Sequence, residues 1–340
     1  MATRPSHLDP FEAAVLGTVR ERRLFGAEAR VLVALSGGAD SVALLAALAA
    51  LRGAGELAAL SACHVDHRLR PGSEADGVAC EALCAALEVP LARVPVTVPG
   101  GENVQQAARR ARYRALRAAA TGAGASRIAT GHTRGDQAET VLLRLLRGAG
   151  ARGLSGIPPR RGALVRPLVD RTRAEIVAYL GRRGLGWRED PTNATPRYAR
   201  NRVRAELLPL LEALAPGVEE RLARTADLLR DDERVLERAA ARLAPRGAAS
   251  VDADRLARAP PAVGRRVVRR LWRAASGSRR RLEAVHVAAV LRLVRRGLAG
   301  PVALPGRRAA WRQGAALLVG MAPSSRGFPR LPGRPVTRSS

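Results

Sequence analysis

The stretch from residue 30 to residue 41, RVLVALSGGADS, decides the fold of this chain. Residues 30–35 form a continuous apolar run, which is typical of a strand buried on both faces of a parallel sheet. Two glycines then allow the backbone to turn sharply, and residues 42–51 predict a helix. Because open α/β sheets bind ligands at the carboxyl ends of their strands, the loop between these two elements is a candidate binding site.

The same alternation of strand and helix continues along the chain. Further strands are predicted at residues 57–65, 91–98 and 127–130, and helices at residues 73–87, 103–120 and 137–146. Strands that alternate with helices imply βαβ units. We therefore expect an α/β fold, an open parallel sheet with helices on both faces.

The pattern changes after Pro158. Residues 172–183 predict a helix with Thr172 as its N-cap and Glu175 closing a capping box. Residues 187–201 contain two prolines and therefore predict a surface loop.

The domain organisation follows from the composition of the remaining sequence. A helix at residues 203–213 is expected to be broken by Pro209, and the Pro-Gly pair at 216–217 is the predicted domain boundary. We expect an N-terminal domain at 1–215, a smaller, mainly helical basic domain at 216–320 with a strand pair at 301–320, and a mobile tail at 321–340.

The composition excludes several kinds of chemistry. All 58 basic residues are arginines, because the sequence contains no lysine. A Walker-type phosphate loop, a pyridoxal enzyme, a Schiff-base aldolase and a ligase that adenylates its own lysine all require that amine. Three cysteines without a CxxC motif argue against a disulfide framework or a thiolate metal centre and indicate a reducing cytosol. The N-terminus has no signal-peptide pattern, and the longest apolar stretch is about half a membrane span, so we expect a soluble cytoplasmic protein with no membrane association.

The charge is concentrated near the C-terminus. The net charge is +28, and residues 251–340 contain 20 arginines but only 3 acidic residues. Such a block attracts a polyanion through counterion release, which favours nucleic acid as the partner. An acidic membrane surface remains the rival partner, and some of these arginines alternate with apolar residues that could belong to a core.

The glycine-rich loop has the features that bind a phosphate chain without lysine. Gly37 and Gly38 expose consecutive N–H groups, Ser36 and Ser41 add hydroxyl donors, and the helix N-terminus adds partial positive charge. Asp40 would repel bare phosphate, but it can ligate a Mg²⁺ ion that bridges the carboxylate and the phosphate. A plain glycine turn capped by an aspartate is the alternative on these residues alone.

Further motifs follow the loop in a fixed order. They are HVDHRLR at 64–70, GEN at 101–103 before ARRARY at 108–113, ATGH at 129–132 before DQAET at 136–140 and LRGAG at 146–150, RPL at 166–168, and WREDPTN at 187–193 before RNRVR at 200–204. The SGGADS loop resembles the pyrophosphatase-loop ATPases, and the whole set resembles the tRNA(Ile)-lysidine synthase family over roughly residues 28–215.

The resemblance implies a fold, a reaction and partners. The fold is Rossmann-like, of the adenine nucleotide alpha hydrolase type. The reaction uses ATP, Mg²⁺, L-lysine and tRNA(Ile) with a CAU anticodon. ATP adenylates O2 of the wobble cytidine, and the lysine ε-amine displaces AMP at C2, so that the product decodes AUA instead of AUG. The oligomeric state stays open, with a homodimer as one option.

The resemblance also implies roles for individual residues. Mg²⁺ is expected on Asp40. The expected ATP-binding residues are Ser36, Gly37, Gly38, Ala39, Asp40, Ser41, His64, Gly131 and His132. The expected catalytic residues are Asp40, Arg112, Asp136 and Glu139, of which the last two are candidates to capture the amine, with Asp66 as a further one. The expected tRNA-binding residues are Arg109, Arg112, Arg200, Asn201 and Arg204.

Several assignments have competing interpretations. The family usually has two adjacent acids after the Gly-His pair, whereas this chain has Gly135 before Asp136; we expect Asp136 and Glu139 to suffice because they lie three residues apart on one helix face. His64, Asp66, His67 and Cys63 suggest zinc, but alternation along a strand favours a role in shaping the loop. Arg112 could instead belong to a solvated basic helix, and Asn201 could be loop structure.

Two other functions compete with the ligase. One is tRNA 2-thiolation, which generally relies on cysteines, and Cys80 and Cys84 lie one helical turn apart in an apolar context that predicts a core position. The other is a non-catalytic RNA-binding module that retains an ATP-binding fold, for which Asp40 would be dispensable.

Overall fold

A computed structural model describes residues 8–66, 73–97, 104–188, 199–277, 282–298 and 300–321. The chain divides into two compact units, Met1–Leu229 and Arg230–Ser340. Within the described residues, no helix combines the length and the apolar composition that a membrane span requires.

A six-stranded sheet forms the centre of the first unit. Its strands are β1 (Arg30–Ala34), β2 (Ala59–Asp66), β3 (Leu91–Pro95), β4 (Arg127–Ala129), β5 (Arg160–Arg161) and β6 (Leu164–Val165). The order is β3-β2-β1-β4-β6-β5, and every neighbouring pair is parallel except β5 with β6. Because β1 lies between β2 and β4, the loops that follow these three strands meet at one edge of the sheet.

Nine α-helices lie wholly within the described residues of the first unit. They are α1 (Pro10–Glu21), α2 (Ala39–Gly53), α3 (Ser73–Ala86), α4 (Val104–Gly122), α5 (Arg134–Leu145), α6 (Ala151–Leu154), α7 (Arg173–Arg182), α8 (Ala199–Arg202) and α9 (Leu208–Leu214). The predicted alternation of strands and helices is therefore confirmed, and the capping box of Thr172 and Glu175 at the start of α7 is present as expected.

Side chains on the two faces of β1 enter two separate cores. Val31 and Val33 are buried in a core with α1, α2 and α7, whereas Leu32 is buried in a core that includes Leu116 of α4. Alternate residues of a strand point to opposite faces, so a continuous apolar strand requires cover on both. The prediction of helices on both faces of the sheet is confirmed.

Two local predictions in the first unit need correction or lie beyond the described residues. Pro209 does not break the helix: a π-helical segment, Val203–Leu207, runs from α8 into α9, and Pro209 lies in the first turn of α9, where its missing N–H costs little. Most of the predicted loop at 187–201 lies outside the described residues, but residues 199–201 belong to helix α8 instead of a loop. The predicted tail at 321–340 also lies outside them, except for Met321, which ends the last strand.

The second unit combines helices with a four-stranded antiparallel sheet. Its elements after the long helix α10 (Val218–Leu243) are β7 (Ser250–Asp252), α11 (Ala253–Arg258), α12 (Pro261–Ser276), α13 (Ala284–Arg295), β8 (Val302–Leu304), β9 (Arg308–Gln313) and β10 (Ala316–Met321). The strand order is β7-β10-β9-β8. The predicted strand pair is thus the centre of a larger sheet, whose three-residue outer strands are too short to show a periodic signal.

The division between the units differs from the boundary proposed at 215–216, because it falls inside α10. Leu222, near the start of α10, packs against the core of α5 and α9, while Ala240, near its end, is buried in the core of the second unit. A continuous helix that contributes to two cores gives no turn signal at the position where the contacts change.

Candidate active site

The phosphate loop follows β1 and begins α2. Gly37 adopts φ +82°, a conformation that favours glycine. The Ser41 hydroxyl accepts hydrogen bonds from the N–H and the hydroxyl of Ser36, at 3.1 and 3.2 Å, and donates to the Gly38 carbonyl at 2.9 Å. The two serines therefore hold the turn in shape, and the first N–H groups of α2, which have no partner within the helix, point toward the same end.

Gly131 brings the end of β4 against this loop. A Cβ atom at position 131 would lie 3.0 Å from the carbonyl carbon and oxygen of Asp40 and 3.2 Å from the Ser41 nitrogen. Backbone atoms cannot move aside as a flexible side chain can. The structure thus places the predicted residue Gly131 directly against the phosphate loop, where a side chain would force the backbone at Asp40 to shift by a few tenths of an ångström.

The two predicted histidines are fixed by hydrogen bonds near the strand ends. The buried His64 places Nδ1 3.1 Å from the Leu35 carbonyl, so that Nδ1 carries the hydrogen and donates it. His132 places Nδ1 2.9 Å from the Thr130 hydroxyl. Burial lowers the pKa of His132 to about 4, against the opposing attraction of Asp136. His132 is therefore neutral at pH 7.

Asp40 forms an ion pair that the sequence did not predict. Arg173, the first residue of α7, donates from Nη1 to Asp40 Oδ1 at 2.8 Å. Burial raises the pKa of Asp40, and Arg173 opposes that shift. A carboxylate that is costly to desolvate favours a cation beside it, and one carboxylate together with phosphate oxygens is a common ligand set for Mg²⁺. The donor chemistry at Asp40 therefore fits the ion that the resemblance implied.

Asp136 and Glu139 lie on one face of α5, and two arginines hold them. Arg200 donates from Nε to Glu139 Oε2 at 2.6 Å and from Nη2 to Asp136 Oδ1 at 2.7 Å. Arg204 donates to Glu139 Oε1 and lies 3.4 Å from Asp136 Oδ1. Glu139 is only 2 % exposed, whereas both arginine side chains are about half exposed. The structure brings predicted catalytic acids together with predicted tRNA-binding arginines, and we call these four residues the acid–arginine cluster.

Asp136 also fixes the start of α5. Its Oδ2 accepts the Thr133 N–H at 2.9 Å, and the Thr133 hydroxyl accepts the Asp136 N–H at 3.3 Å. These two bonds form a capping box. One carboxylate oxygen thus orients the helix while the other faces the arginines.

The position of Gly135 has a neighbour that sequence reasoning missed. A Cβ atom at 135 would lie 3.7 Å from a carboxylate oxygen of Glu219, near the start of α10. Burial raises the pKa of Glu219, and its neighbours Glu212 and Glu139 act in the same direction. The chain therefore has a carboxylate beside the position where the resemblance led us to expect an acid, and no local motif could reveal it.

The roles of the other predicted site residues stay predictions. Arg109 and Arg112 are exposed on α4, where the Arg109 guanidinium lies 5.2 Å from the ring centre of Tyr113. Asn201 lies in α8, next to Arg200, and Asp66 is buried at the end of β2.

The cysteines occupy core positions. All three are buried and free, and burial raises the pKa of Cys63 to about 11, of Cys80 to about 12 and of Cys84 to about 11. They are therefore thiols at neutral pH. Among the residues that the structure describes, no three His, Cys, Asp or Glu side chains are grouped to hold a metal such as zinc. His67, a member of the zinc hypothesis, lies outside them.

The sequence is similar to known protein families and to individual relatives. Residues 13–211 match the PP-loop domain family. The chain is 43 % identical to tRNA(Ile)-lysidine synthase of Thermobifida fusca over 296 residues. The matched region covers 85 % of this chain and 91 % of that protein. It is 43 % identical over 279 residues to the enzyme of the same name from Solibacter usitatus and 47 % identical over 241 residues to that from Deinococcus radiodurans. The chain spans only 62 % and 39 % of the length of these two relatives.

Among solved structures, the fold is similar to that of the U34-tRNA thiolase NcsA from Methanococcus maripaludis with its 4Fe-4S cluster. The TM-score is 0.53 and the identity is 18 %, over 64 % of this chain and 78 % of that one. This likeness concerns the fold alone.

Proposed function

Since the chain belongs to the tRNA(Ile)-lysidine synthase family, we propose that it joins L-lysine to the wobble cytidine of tRNA(Ile) with a CAU anticodon, using ATP. AMP is transferred to O2 of the cytidine and pyrophosphate leaves. The lysine ε-amine, having lost a proton, then attacks C2, the C2–O2 bond breaks, and AMP leaves with the former cytidine oxygen in its phosphate group. The observation that carries the proposal is the adjacency of the phosphate loop after β1 and Gly131 after β4.

The first step requires charge neutralisation at the α-phosphate. The N-terminal turn of α2 binds the polyphosphate, and Ser36 and Ser41, whose hydroxyls bond to each other and to the Gly38 carbonyl, keep the loop in the shape that this requires. Asp40 would hold Mg²⁺, which when bound neutralises charge on the phosphates and on the pyrophosphate leaving group. Gly131 keeps β4 close to the loop, so that the nucleotide and the base that accepts AMP can approach from the same edge of the sheet.

The second step requires capture and deprotonation of an ammonium group. Asp136 and Glu139 are the carboxylates we assign to this task, and Arg200 and Arg204 occupy them in the free protein. The incoming ammonium therefore exchanges with a guanidinium, and each arginine that leaves becomes available to RNA phosphate. Because His132 is neutral near pH 7, it does not repel the cationic amine.

RNA binding is assigned to exposed arginines of both units, and the charge of the second unit is only partly available. Arg266 is buried in an ion pair with Glu233, and Arg270 pairs with Glu237 at 2.8 Å. These arginines stabilise the unit and are not offered to RNA. The exposed arginines that carry the proposal are Arg255, Arg258, Arg265, Arg292 and Arg295, which belong to α11, α12 and α13, and Arg296, which follows α13.

Incubation of the protein with ATP, Mg²⁺, lysine and tRNA(Ile) bearing CAU tests the proposal. Mass analysis of the nucleosides should show a cytidine that has gained lysine minus water, with release of AMP and pyrophosphate. Asp40→Asn should abolish this product, whereas a non-catalytic RNA-binding protein would keep its function in that variant. Absence of AMP release with the wild-type protein would contradict the proposal.

The same assay separates ligation from thiolation. Replacement of Cys63, Cys80 and Cys84 by alanine removes every thiol in the chain. Ligation should persist in this variant if it folds, which circular dichroism checks. Incorporation of sulfur into the tRNA by the wild-type protein, and its loss in the variant, would indicate thiolation instead.

A further inference from the structure

We propose that Arg173 is a phosphate-binding residue that changes partner, neutralising Asp40 in the free protein and moving to the polyphosphate when ATP binds. This inference rests on the proposed function, because it takes ATP as the ligand of the phosphate loop. Once moved, Arg173 would touch the substrate and would stabilise charge on the pyrophosphate that leaves.

The ion pair between Arg173 and Asp40 lies at the phosphate loop. Arg173 Nη1 lies 2.8 Å from Asp40 Oδ1, and Asp40 is the second residue of α2, within the loop that we assign to the phosphates. The Arg173 side chain is 50 % exposed and that of Asp40 is 34 % exposed, so the pair lies open to an incoming ligand. A guanidinium at this place is within one side-chain movement of any anion that the loop binds.

Only the side chain of Arg173 needs to move for this change of partner. Thr172 caps α7, since its hydroxyl accepts the Glu175 N–H at 3.1 Å and its N–H donates to Glu175 Oε2 at 2.6 Å. This capping box fixes the backbone of the first turn of α7, and Arg173 is the first residue of that turn. A long side chain on a fixed backbone can exchange one anion for another without a change in fold.

The positive charge that the phosphate loop needs must come from another part of the chain. Residues 36–41 contain no basic residue, and the whole sequence contains no lysine. Arg200 and Arg204 are already bound to Asp136 and Glu139. Among the described residues, Arg173 provides the guanidinium that hydrogen bonds to the loop carboxylate itself. An arginine also matches phosphate geometry better than a single ammonium point charge.

A cation that binds Asp40 competes with Arg173 for this carboxylate. The guanidinium already hydrogen bonds to Oδ1, and two positive charges on one carboxylate repel each other, so a bound cation weakens the ion pair. The released guanidinium then lies beside phosphate oxygens. If Arg173 merely blocked Asp40 until nucleotide arrives, removing its side chain would instead strengthen nucleotide binding.

The test is the affinity of α,β-methylene-ATP, measured by calorimetry with full-length protein, with Mg²⁺ and separately with EDTA. Arg173→Ala should weaken binding of the analogue about 10- to 100-fold, the range expected for a charge-assisted hydrogen bond, and leave adenosine binding unchanged. Arg173→Lys should recover part of the loss. In EDTA, Asp40→Asn should tighten binding of the analogue, because it removes a negative charge and releases Arg173. The gain should be smaller in the double variant with Arg173→Ala, where only the removal of the charge remains.

Arg182→Ala is the matched control. Arg182 lies on the same helix, its side chain is 49 % exposed, and it pairs with Asp9 at 2.9 Å, away from the loop. This variant should bind the analogue like wild type. Unchanged or tighter binding by Arg173→Ala, or an equal loss of adenosine binding, would overturn the inference. Because binding is measured without tRNA or lysine, that result would leave the proposed ligase reaction standing if wild type still forms the product.

Discussion

Replacing Glu139 with glutamine tests whether the acid–arginine cluster stabilises the first unit. Glu139 is 2 % exposed and accepts hydrogen bonds from Arg200 and Arg204 on its two carboxylate oxygens. Hydrogen bonds to charged groups contribute roughly 1.5–3 kcal/mol each. A glutamine keeps one acceptor oxygen but turns its NH₂ group toward the other guanidinium, so one bond is lost and the second is weakened.

We therefore expect Glu139→Gln to lower the free energy of unfolding of the first unit by about 2–4 kcal/mol. The loss stays near or below the roughly 3–5 kcal/mol typical of breaking a buried ion pair, because both arginines are half exposed and keep Asp136 as a partner. Since the carboxylate is buried, salt should change this loss little.

Hydrogen exchange of the β1 amides measures the effect, because amides at the centre of a sheet exchange through unfolding of their unit. A loss of 2–4 kcal/mol accelerates that exchange about 30- to 1000-fold. The amides of β9, in the second unit, serve as an internal reference. Glu206→Gln is the control variant: its pair with Arg202 is exposed to solvent and should contribute little to stability. Acceleration below about fivefold in Glu139→Gln would refute the reasoning.

Three further outcomes are expected. Gly131→Ala should lower the melting temperature and the affinity for an ATP analogue, because its Cβ would lie 3.0 Å from backbone atoms of the phosphate loop, at a cost of about 1–3 kcal/mol. Gly135→Ala, whose Cβ would lie 3.7 Å from its nearest neighbour, should keep the wild-type melting temperature and affinity. Equal effects of the two changes would argue against the contact. The pKa of His132 is about 4, below that of an unfolded histidine near 6.5, so the unfolded state gains the proton first and stability should fall as the pH drops from 6.5 toward 4. Urea unfolding at several pH values should show this fall in wild type and a smaller fall in His132→Gln. Replacing the exposed Arg292 and Arg295 of α13 with glutamine should reduce the slope of log K against log salt for tRNA binding by roughly 0.7–0.9 per lost phosphate contact, and an unchanged slope would place the RNA elsewhere.

Local patterns determined much of the fold. The apolar run before the phosphate loop, the spacing of strands and helices, and the capping box at Thr172 all follow from interactions within a few residues. The same kind of signal placed Asp136 and Glu139 on one helix face and placed Cys80 and Cys84 in the core. Such features can be predicted because propensity, periodicity and caps depend on neighbouring residues.

Other features depend on which distant segments meet. The two-residue strands β5 and β6 have no periodicity of their own, and they form because β4 offers an edge for pairing. The division between the two units inside α10 likewise reflects packing, because the helix continues through it without a local turn signal.

The partners of the site residues were decided by the tertiary structure alone. Sequence motifs identified Asp40, but its guanidinium partner comes from Arg173, far along the chain, and the close approach of Gly131 to the loop exists only once β1 and β4 pair. The sequence shows which charged residues are present, whereas the tertiary structure shows which of them lie close together. Electrostatic and steric contacts act over a few ångströms in space, and separation along the sequence does not measure that distance.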